Sequence, residues 1–130
     1  MKAYLMYQYR GPLGDNASPD DIDANIQKAA EIGDCISRHF PSLEVFIPHT
    51  AEILHPYNLA WKSGLCTTDE ILDACCKIVE ECDVAICVGN ITEGMERELG
   101  ICEEHAIPVA YLEQWPDEYW IEKIAMAIYM

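Results

Sequence analysis

The chain has 130 residues, 51% of them hydrophobic, a length that allows one domain with its own core but not two. Its 23 Asp and Glu residues outnumber its 8 Lys and Arg residues, for a formal net charge of -15. A field of that sign repels nucleic-acid polymers and anionic membranes, so neither is an expected partner. The 7 cysteines follow no regular framework, which is typical of a reduced, cytoplasmic protein.

The first third of the chain predicts a strand, a loop and a helix. Residues 3–7 form an apolar, aromatic-rich run suited to a buried strand, and a loop dense in turn-forming residues follows. Ser18 or Asp20 caps a helix whose apolar residues recur at helical spacing as far as about His39. This is the first unit of an alternating α/β pattern.

The middle of the chain predicts a second strand and a long, irregular connection. Residues 43–47 form a short strand that ends at Pro48. Residues 49–66 contain only a short helical piece, around residues 57–62. In a compact domain, a connection of this length is typical of a functional loop.

A capping box begins the next helix, because Thr67 is followed three residues later by Glu70. This helix runs through Glu81 and leads into a third strand at 83–89, which is apolar almost throughout. A run of this kind is expected for a strand that is covered on both faces.

The last third repeats the pattern and completes the predicted fold. A helix from about 94 to 105 precedes a fourth strand at 107–112, and Pro116 and Asp117 begin a C-terminal amphipathic helix. This alternation predicts a small doubly wound α/β domain, flavodoxin-like or Rossmann-like, spanning residues 1–130. The parallel sheet has four to five strands with helices on both faces, and right-handed crossovers favour the strand order 2-1-3-4.

Glu98 is the first candidate functional residue. It lies in the opening turns of the helix after the third strand, at the sheet edge where open α/β folds bind ligands. In the same turn, Thr92 offers a hydroxyl to a phosphate or sugar oxygen, and Gly94 allows close approach of the backbone. Glu98 can act there as a base or a nucleophile, or it can only complement the helix dipole.

Other polar and aromatic residues are expected at the same edge. His49 follows the second strand and can contact a base or phosphate, or can have a local role in the loop. Arg10 and Arg97 are expected in ligand-edge loops, where an arginine can hold a phosphate or stay solvated. Arg97 can instead pair with a neighbouring glutamate. Tyr7 can stack on a nucleobase or belong to the core. No Cys/His spacing indicates a metal site, and no cofactor is expected.

Several short motifs occur in a fixed order between Lys2 and about Leu112. They are Ala3-Tyr4-Leu5-Met6, Arg10-Gly11-Pro12, Asn25-Ile26 with Ala29, Phe46-Ile47-Pro48-His49, Cys82-Asp83, Glu93-Gly94-Met95, Glu98-Leu99-Gly100 and Ile107-Pro108-Val109. Together they resemble the nucleoside 2-deoxyribosyltransferase-like superfamily, including its small phage and bacterial members of unassigned function. The resemblance implies a flavodoxin-like or Rossmann-like sandwich that is usually a homo-oligomer.

The resemblance also implies an activity, the cleavage or transfer of the N-glycosidic bond of a nucleoside or nucleotide. Glu98 matches the nucleophilic glutamate, which attacks the anomeric carbon and holds a covalent deoxyribosyl intermediate. Tyr4 matches the tyrosine that orients this carboxylate.

The substrate-binding residues that the resemblance implies lie in two loops. Arg10 and Gly11 match a loop that closes over the sugar or phosphate. Thr92 and Gly94, with Met95 beside them, match the turn that receives a 5′-hydroxyl or a 5′-phosphate.

One position departs from the family pattern. The enzymes carry an aspartate eight residues before the position of Asp83, where it holds or protonates the departing base, and this chain has Cys75 there. Asp73 and Asp69 lie on the same helix; Asp73 reaches a similar place if the helix is shifted, and Asp69 is a candidate substrate-binding residue. Without such a carboxylate, acid assistance to the leaving base is weaker.

Three functions follow from these observations. The first is the N-glycosidic enzyme, with Asp73 or Asp69 as a possible acid. The second is a non-catalytic protein that binds a nucleotide or an ADP-ribose derivative as a sensor or sequestering module. The third, an electron-transfer or protein-docking module, depends only on analogy with other flavodoxin-like folds and on the acidic charge of the chain.

Overall fold

The structure, a computed structural model, describes residues 1–9 and 17–129, so the predicted binding residues Arg10 and Gly11 lie outside the described residues. Four strands form one sheet: β1 (Lys2–Met6), β2 (Glu44–Phe46), β3 (Val84–Val88) and β4 (Val109–Leu112). Their order is β2-β1-β3-β4, and all three pairings are parallel. The predicted doubly wound α/β fold and its strand order are therefore confirmed.

Among the described residues, five α-helices connect or follow the strands. They are α1 (Pro19–His39), α2 (His55–Lys62), α3 (Thr68–Glu80), α4 (Glu93–Glu104) and α5 (Trp120–Tyr129), and a short 3₁₀ helix (Glu52–Leu54) precedes α2. Within the described ranges, no helix combines the length and the apolar character that crossing a membrane requires.

The helix starts follow from side-chain capping. Of the two predicted caps of α1, Ser18 and not Asp20 is the N-cap, and it forms a capping box with Asp21. At the start of α3, Thr67 and Glu70 form the capping box that the sequence predicts. In each box the hydroxyl oxygen accepts from a backbone N–H of the first turn, which would otherwise lack a partner inside the helix.

The C-terminal helix begins later than the sequence predicts. The Asp117 carboxylate accepts from the backbone N–H of Tyr119 at 2.8 Å and from Lys123 Nζ at 2.7 Å. These contacts hold residues 117–119 as a turn, so that α5 starts at Trp120 and not at Pro116 or Asp117.

Helices cover both faces of the sheet, and each face forms a separate hydrophobic core with the helices that cover it. On one face, α1 and α5 pack against the buried strand residues Ala3, Leu5, Val84, Ile86, Val88, Ala110 and Leu112. On the other face, α3 and α4 pack against the buried strand residues Tyr4, Met6, Ala85 and Cys87. The alternation of side chains along each strand sends neighbouring residues into opposite cores.

The helix glycines Gly33 and Gly100 give a matched pair for testing the packing of α1. A Cβ on Gly33 would overlap the side chain of Ile47, lying 2.8 Å from Cγ1, whereas a Cβ on Gly100 would meet no atom within 4 Å. We expect Gly33→Ala to lower the free energy of unfolding by about 1–2 kcal/mol, because overpacking outweighs the gain in helix propensity. Gly100→Ala should raise it by about 0.5–1 kcal/mol. Urea denaturation measures both, and equal stabilisation by the two changes would contradict the close contact at Gly33.

Candidate functional site

Glu98 lies on the face of α4 that packs against the sheet. The buried residues of this helix are Met95, Glu98 and Cys102, which are spaced three and four residues apart and therefore share one side. The turn after β3 contains Gly89 at φ +81°, in the left-handed region that favours glycine. This turn brings the start of α4 to the carboxyl end of β3, and Glu98 lies in the second turn of that helix.

Burial dominates the electrostatics of Glu98. Its side chain is buried, with 7% of the residue exposed. Loss of hydration disfavours the charged form and raises the pKa of the carboxyl group to about 7, although interaction with the Tyr4 hydroxyl acts in the opposite direction. Glu98 therefore changes its charge near neutral pH, which is typical of groups that transfer protons or act as nucleophiles.

Tyr4 places a hydroxyl group beside this carboxyl group. The residue is fully buried on β1, and its ring stacks on Phe46 with centroids 5.6 Å apart. Burial, and then the charge on Glu98, raise the pKa of Tyr4 well above its usual value, so the hydroxyl keeps its proton. No described group meets the geometry of a full hydrogen bond to this oxygen, and Glu98 and Cys75 are its polar neighbours. The predicted pair of Tyr4 and Glu98 is thus close in space.

Cys75 completes the buried cluster, at the position where the resemblance leads us to expect an aspartate. Burial, followed by the charge of Glu98, raises the pKa of the Cys75 thiol to about 12. At neutral pH this group is an uncharged thiol and a poor proton donor. The cluster of Tyr4, Cys75 and Glu98 therefore contains one group, Glu98, that changes its charge in the physiological range.

Asp69 and Asp73 are engaged elsewhere. Arg97 donates from Nη1 to Asp69 at 2.8 Å and from Nη2 to Asp73 at 2.7 Å, which joins α3 to α4. The aspartate side chains are 82% and 65% exposed, and both ion pairs lie at the surface. The structure thus gives the predicted acid Asp73 and the predicted binding residue Asp69 an arginine partner at the surface, whereas Glu98 is buried.

The turn that opens α4 has structural roles of its own. Thr92 is the N-cap, and its hydroxyl oxygen accepts from the backbone N–H of Met95 at 3.3 Å. Met95 is buried in the core. A Cβ on Gly94 would lie 2.8 Å from Leu72 Cδ2, so glycine allows α4 to pack closely on α3. The Thr92 hydroxyl therefore caps α4, and the space beside Gly94 is occupied by Leu72.

His49 lies beyond the end of β2, near the first residues after β1. Its Nε2 is 2.9 Å from the carbonyl oxygen of Gln8, and its Nδ1 is buried without a partner among the described residues. Burial lowers the pKa of the imidazole, although the carbonyl groups of Gln8 and Tyr7 act in the opposite direction. The neutral ring therefore donates from Nε2 and keeps Nδ1 as an acceptor.

Glu98 lines neither of two cavities on the described surface. The first, about 210 Å³, lies at the carboxyl ends of β1, β3 and β4 and is lined by Tyr7, Gln8, Lys28, Val88, Gly89, Asn90, Glu113, Gln114 and Trp115. The second, about 460 Å³, lies between the 3₁₀ helix, α2 and α3, and Asp73 is among its lining residues. No group of three or more His, Cys, Asp or Glu residues suited to a metal ion occurs within residues 1–9 and 17–129.

Sequence reasoning did not identify Asn90 and Gln114 at the ligand edge. Each lies two residues after the end of a strand, Asn90 after β3 and Gln114 after β4. Open α/β sheets bind ligands at the carboxyl ends of their strands, and applying that rule to every strand would have identified both residues. The chain matches no protein-family model, no curated protein and no solved structure. Its function must therefore be inferred from the chemistry of its own side chains.

Proposed function

We propose that this protein cleaves or transfers the N-glycosidic bond of a nucleoside or nucleotide, with Glu98 as the nucleophile. The observation that supports this proposal most is the buried Glu98 carboxyl group beside the Tyr4 hydroxyl, on the helix that follows the central strand β3. The ordered motifs that resemble nucleoside 2-deoxyribosyltransferase-like proteins identify the same two residues.

The proposed reaction has two steps. In the first, an ionised oxygen of Glu98 bonds to the anomeric carbon while the bond from that carbon to the base nitrogen breaks. The electron pair leaves with the base, which takes up a proton, and the sugar remains as an ester of Glu98. In the second, water or another base attacks the same carbon and releases the carboxylate. In the reacting state the Tyr4 hydroxyl, which lies beside Glu98 without a full hydrogen bond in the structure, donates to the other carboxylate oxygen and positions the group.

The charge state of Glu98 sets the pH dependence of this chemistry. Only the carboxylate form is a nucleophile, and burial raises the pKa of Glu98 to about 7. The rate should therefore rise between about pH 6 and pH 8 as the carboxyl group ionises. The leaving base obtains little help from the Cys75 thiol, whose pKa is raised to about 12.

A specific observation favours a second candidate function, non-catalytic binding of a nucleotide or an ADP-ribose derivative. Asp69 and Asp73, the two carboxylates expected to assist the leaving base, are paired with Arg97 at the surface. General acid catalysis typically contributes about 10²–10⁴-fold to a rate. A site without it can retain a ligand and release it unchanged, as a sensor or sequestering protein does.

One experiment separates the two functions. The protein is incubated with 2′-deoxynucleosides, their 5′-monophosphates and ADP-ribose, and free base is measured by chromatography while binding is measured by calorimetry. Base release supports the enzyme, and binding with an unchanged ligand supports the second candidate. If neither base release nor binding occurs with any of these compounds, both proposals are wrong.

Tyr4→Phe tests the positioning role of the hydroxyl. The ring stack on Phe46 is retained, so we expect little loss of stability. Because the Tyr4 hydroxyl lowers the pKa of Glu98, its removal should shift the acid limb of the kcat/KM profile to higher pH. At pH 6 the rate should fall by roughly tenfold or more, the value of a hydrogen bond to a charged group. Tyr129→Phe, at an exposed tyrosine, is the control, and an unshifted profile in Tyr4→Phe would exclude the positioning role.

A cytoplasmic, homo-oligomeric state is part of the same proposal. All seven cysteines are free, as expected in a reducing compartment. Tyr111 on β4, Tyr119 just before α5 and Met126 on α5 expose large apolar side chains that a second copy could cover. Sedimentation analysis of the purified protein tests the oligomeric state, and a monomer at micromolar concentration would contradict it.

A further inference from the structure

We propose that the cavity of about 210 Å³ is a separate binding site for a free nucleobase, or for another neutral planar heterocycle of the same size. The cavity lies at the ligand edge of the sheet, because all its lining residues except Lys28 lie at or just after the carboxyl ends of β1, β3 and β4. Two of them, Tyr7 and Trp115, pack against the core formed with α1 and α5. Glu98 and Tyr4 lie on the opposite face, with α3 and α4, so this site is distinct from the proposed catalytic one.

The lining chemistry matches a planar ring with a polar edge. Tyr7 and Trp115 provide aromatic surface on which a flat heterocycle can stack. Gln8, Asn90 and Gln114 provide three carboxamides, each with both a donor and an acceptor. A nucleobase presents the same mixture of donors and acceptors along its edge, which is why amide side chains recognise bases in pairs of hydrogen bonds.

One of these amides is already held in place. Gln8 Nε2 donates to Asn25 Oδ1 at 3.1 Å, and Asn25 Nδ2 donates to the carbonyl oxygen of Tyr9 at 2.8 Å. This chain of hydrogen bonds fixes the orientation of the Gln8 amide before a ligand arrives. A preoriented group loses less conformational entropy when it binds.

Charge and size restrict the ligand further. Lys28 and Glu113 are the two charged residues in the lining, and their formal charges cancel, which favours a neutral ligand. The volume lies below the range of about 300–1,000 Å³ in which sites hold drug-sized molecules. A single base fits this description better than a whole nucleotide, whose phosphate would also face a protein with a net charge of -15.

Calorimetric titration of the full chain with adenine, cytosine and uracil tests the proposal. We expect saturable binding of at least one base, weakened by roughly three- to tenfold in Asn90→Ala and in Gln114→Ala, the effect of one lost hydrogen bond. Both side chains are exposed, so the variants should fold as the wild type does. Gln27→Ala, at an exposed glutamine that does not line the cavity, should bind as the wild type does.

Two further arms separate this site from the proposed activity and from other ligands. Because Glu98 lies outside the cavity, Glu98→Gln should bind the base there with the affinity of the wild type. The base site and the catalytic role of Glu98 can therefore fail independently of each other. Glycine, phenylalanine and a nucleoside 5′-monophosphate test whether the cavity takes a zwitterion or a nucleotide instead. The proposal is wrong if no base binds, if the cavity variants bind as the wild type does, or if only one of these other ligands binds.

Discussion

Glu98→Gln is expected to reduce the release of free base by roughly 10³-fold or more, because glutamine keeps the size of the side chain but cannot form the ester. The neighbouring Tyr4 hydroxyl and Cys75 thiol are unchanged, so the loss of rate is due to the missing carboxylate oxygen of Glu98. Initial rates of base release, measured by chromatography at pH 8, compare the two proteins under conditions in which most of the wild-type Glu98 is ionised.

Glu96→Gln is the matched control for this change. Glu96 lies on the same helix, and its replacement by glutamine removes the same formal charge. Unlike Glu98, its side chain is exposed. We expect a rate within about twofold of the wild type, since surface charges away from a site have small effects. Equal loss in both variants would indicate a general electrostatic effect of α4, and no loss in Glu98→Gln would remove the nucleophile assignment.

The second large effect is a pH-dependent difference in stability between the wild type and Glu98→Gln. The carboxyl group has a pKa of 4.5 as its ordinary value and about 7 in the folded protein. Between these values the folded state binds more protons than the unfolded state, so the free energy of unfolding falls as pH rises. Relative to Glu98→Gln, the wild type should lose about 2–3 kcal/mol between pH 5 and pH 8.

Urea denaturation of both proteins at pH 5, 6, 7 and 8 measures this difference. Comparison with the variant cancels the contributions of the other carboxylates, which are numerous in a chain with 23 acidic residues. Parallel stability curves for the two proteins would mean that Glu98 is not buried as a carboxyl group with a raised pKa. That result would also remove the expected rise of the rate near pH 7.

The fold was predictable because its signals are local. The capping box of Thr67 and Glu70 lies within a few residues of sequence, and the apolar run that forms β3 is continuous. Right-handed crossovers then leave few ways to order four parallel strands. The start of α5 was misplaced because the Asp117 carboxylate binds Lys123, a side-chain contact that the sequence pattern does not specify.

The candidate site was predictable only in part. The burial of Glu98 follows from its helical spacing to Met95 and Cys102, which the sequence contains. The pairing of Arg97 with Asp73 depends on how α3 and α4 are rotated against each other, and spacing within one helix does not fix that rotation. Gly94 was likewise predicted to face a ligand, but the side chain that occupies its space comes from the neighbouring helix.

Trapping of the glycosyl ester tests the central claim most directly. A 2′-fluoro-substituted arabinosyl nucleoside slows both steps, because fluorine at the neighbouring carbon disfavours the positive charge that develops at the anomeric carbon. Mass spectrometry of the intact protein and of its peptides should then show one added sugar, carried by Glu98 in the wild type and absent from Glu98→Gln. An adduct on another residue, or base release from this substrate with no adduct and no dependence on Glu98, would contradict the account.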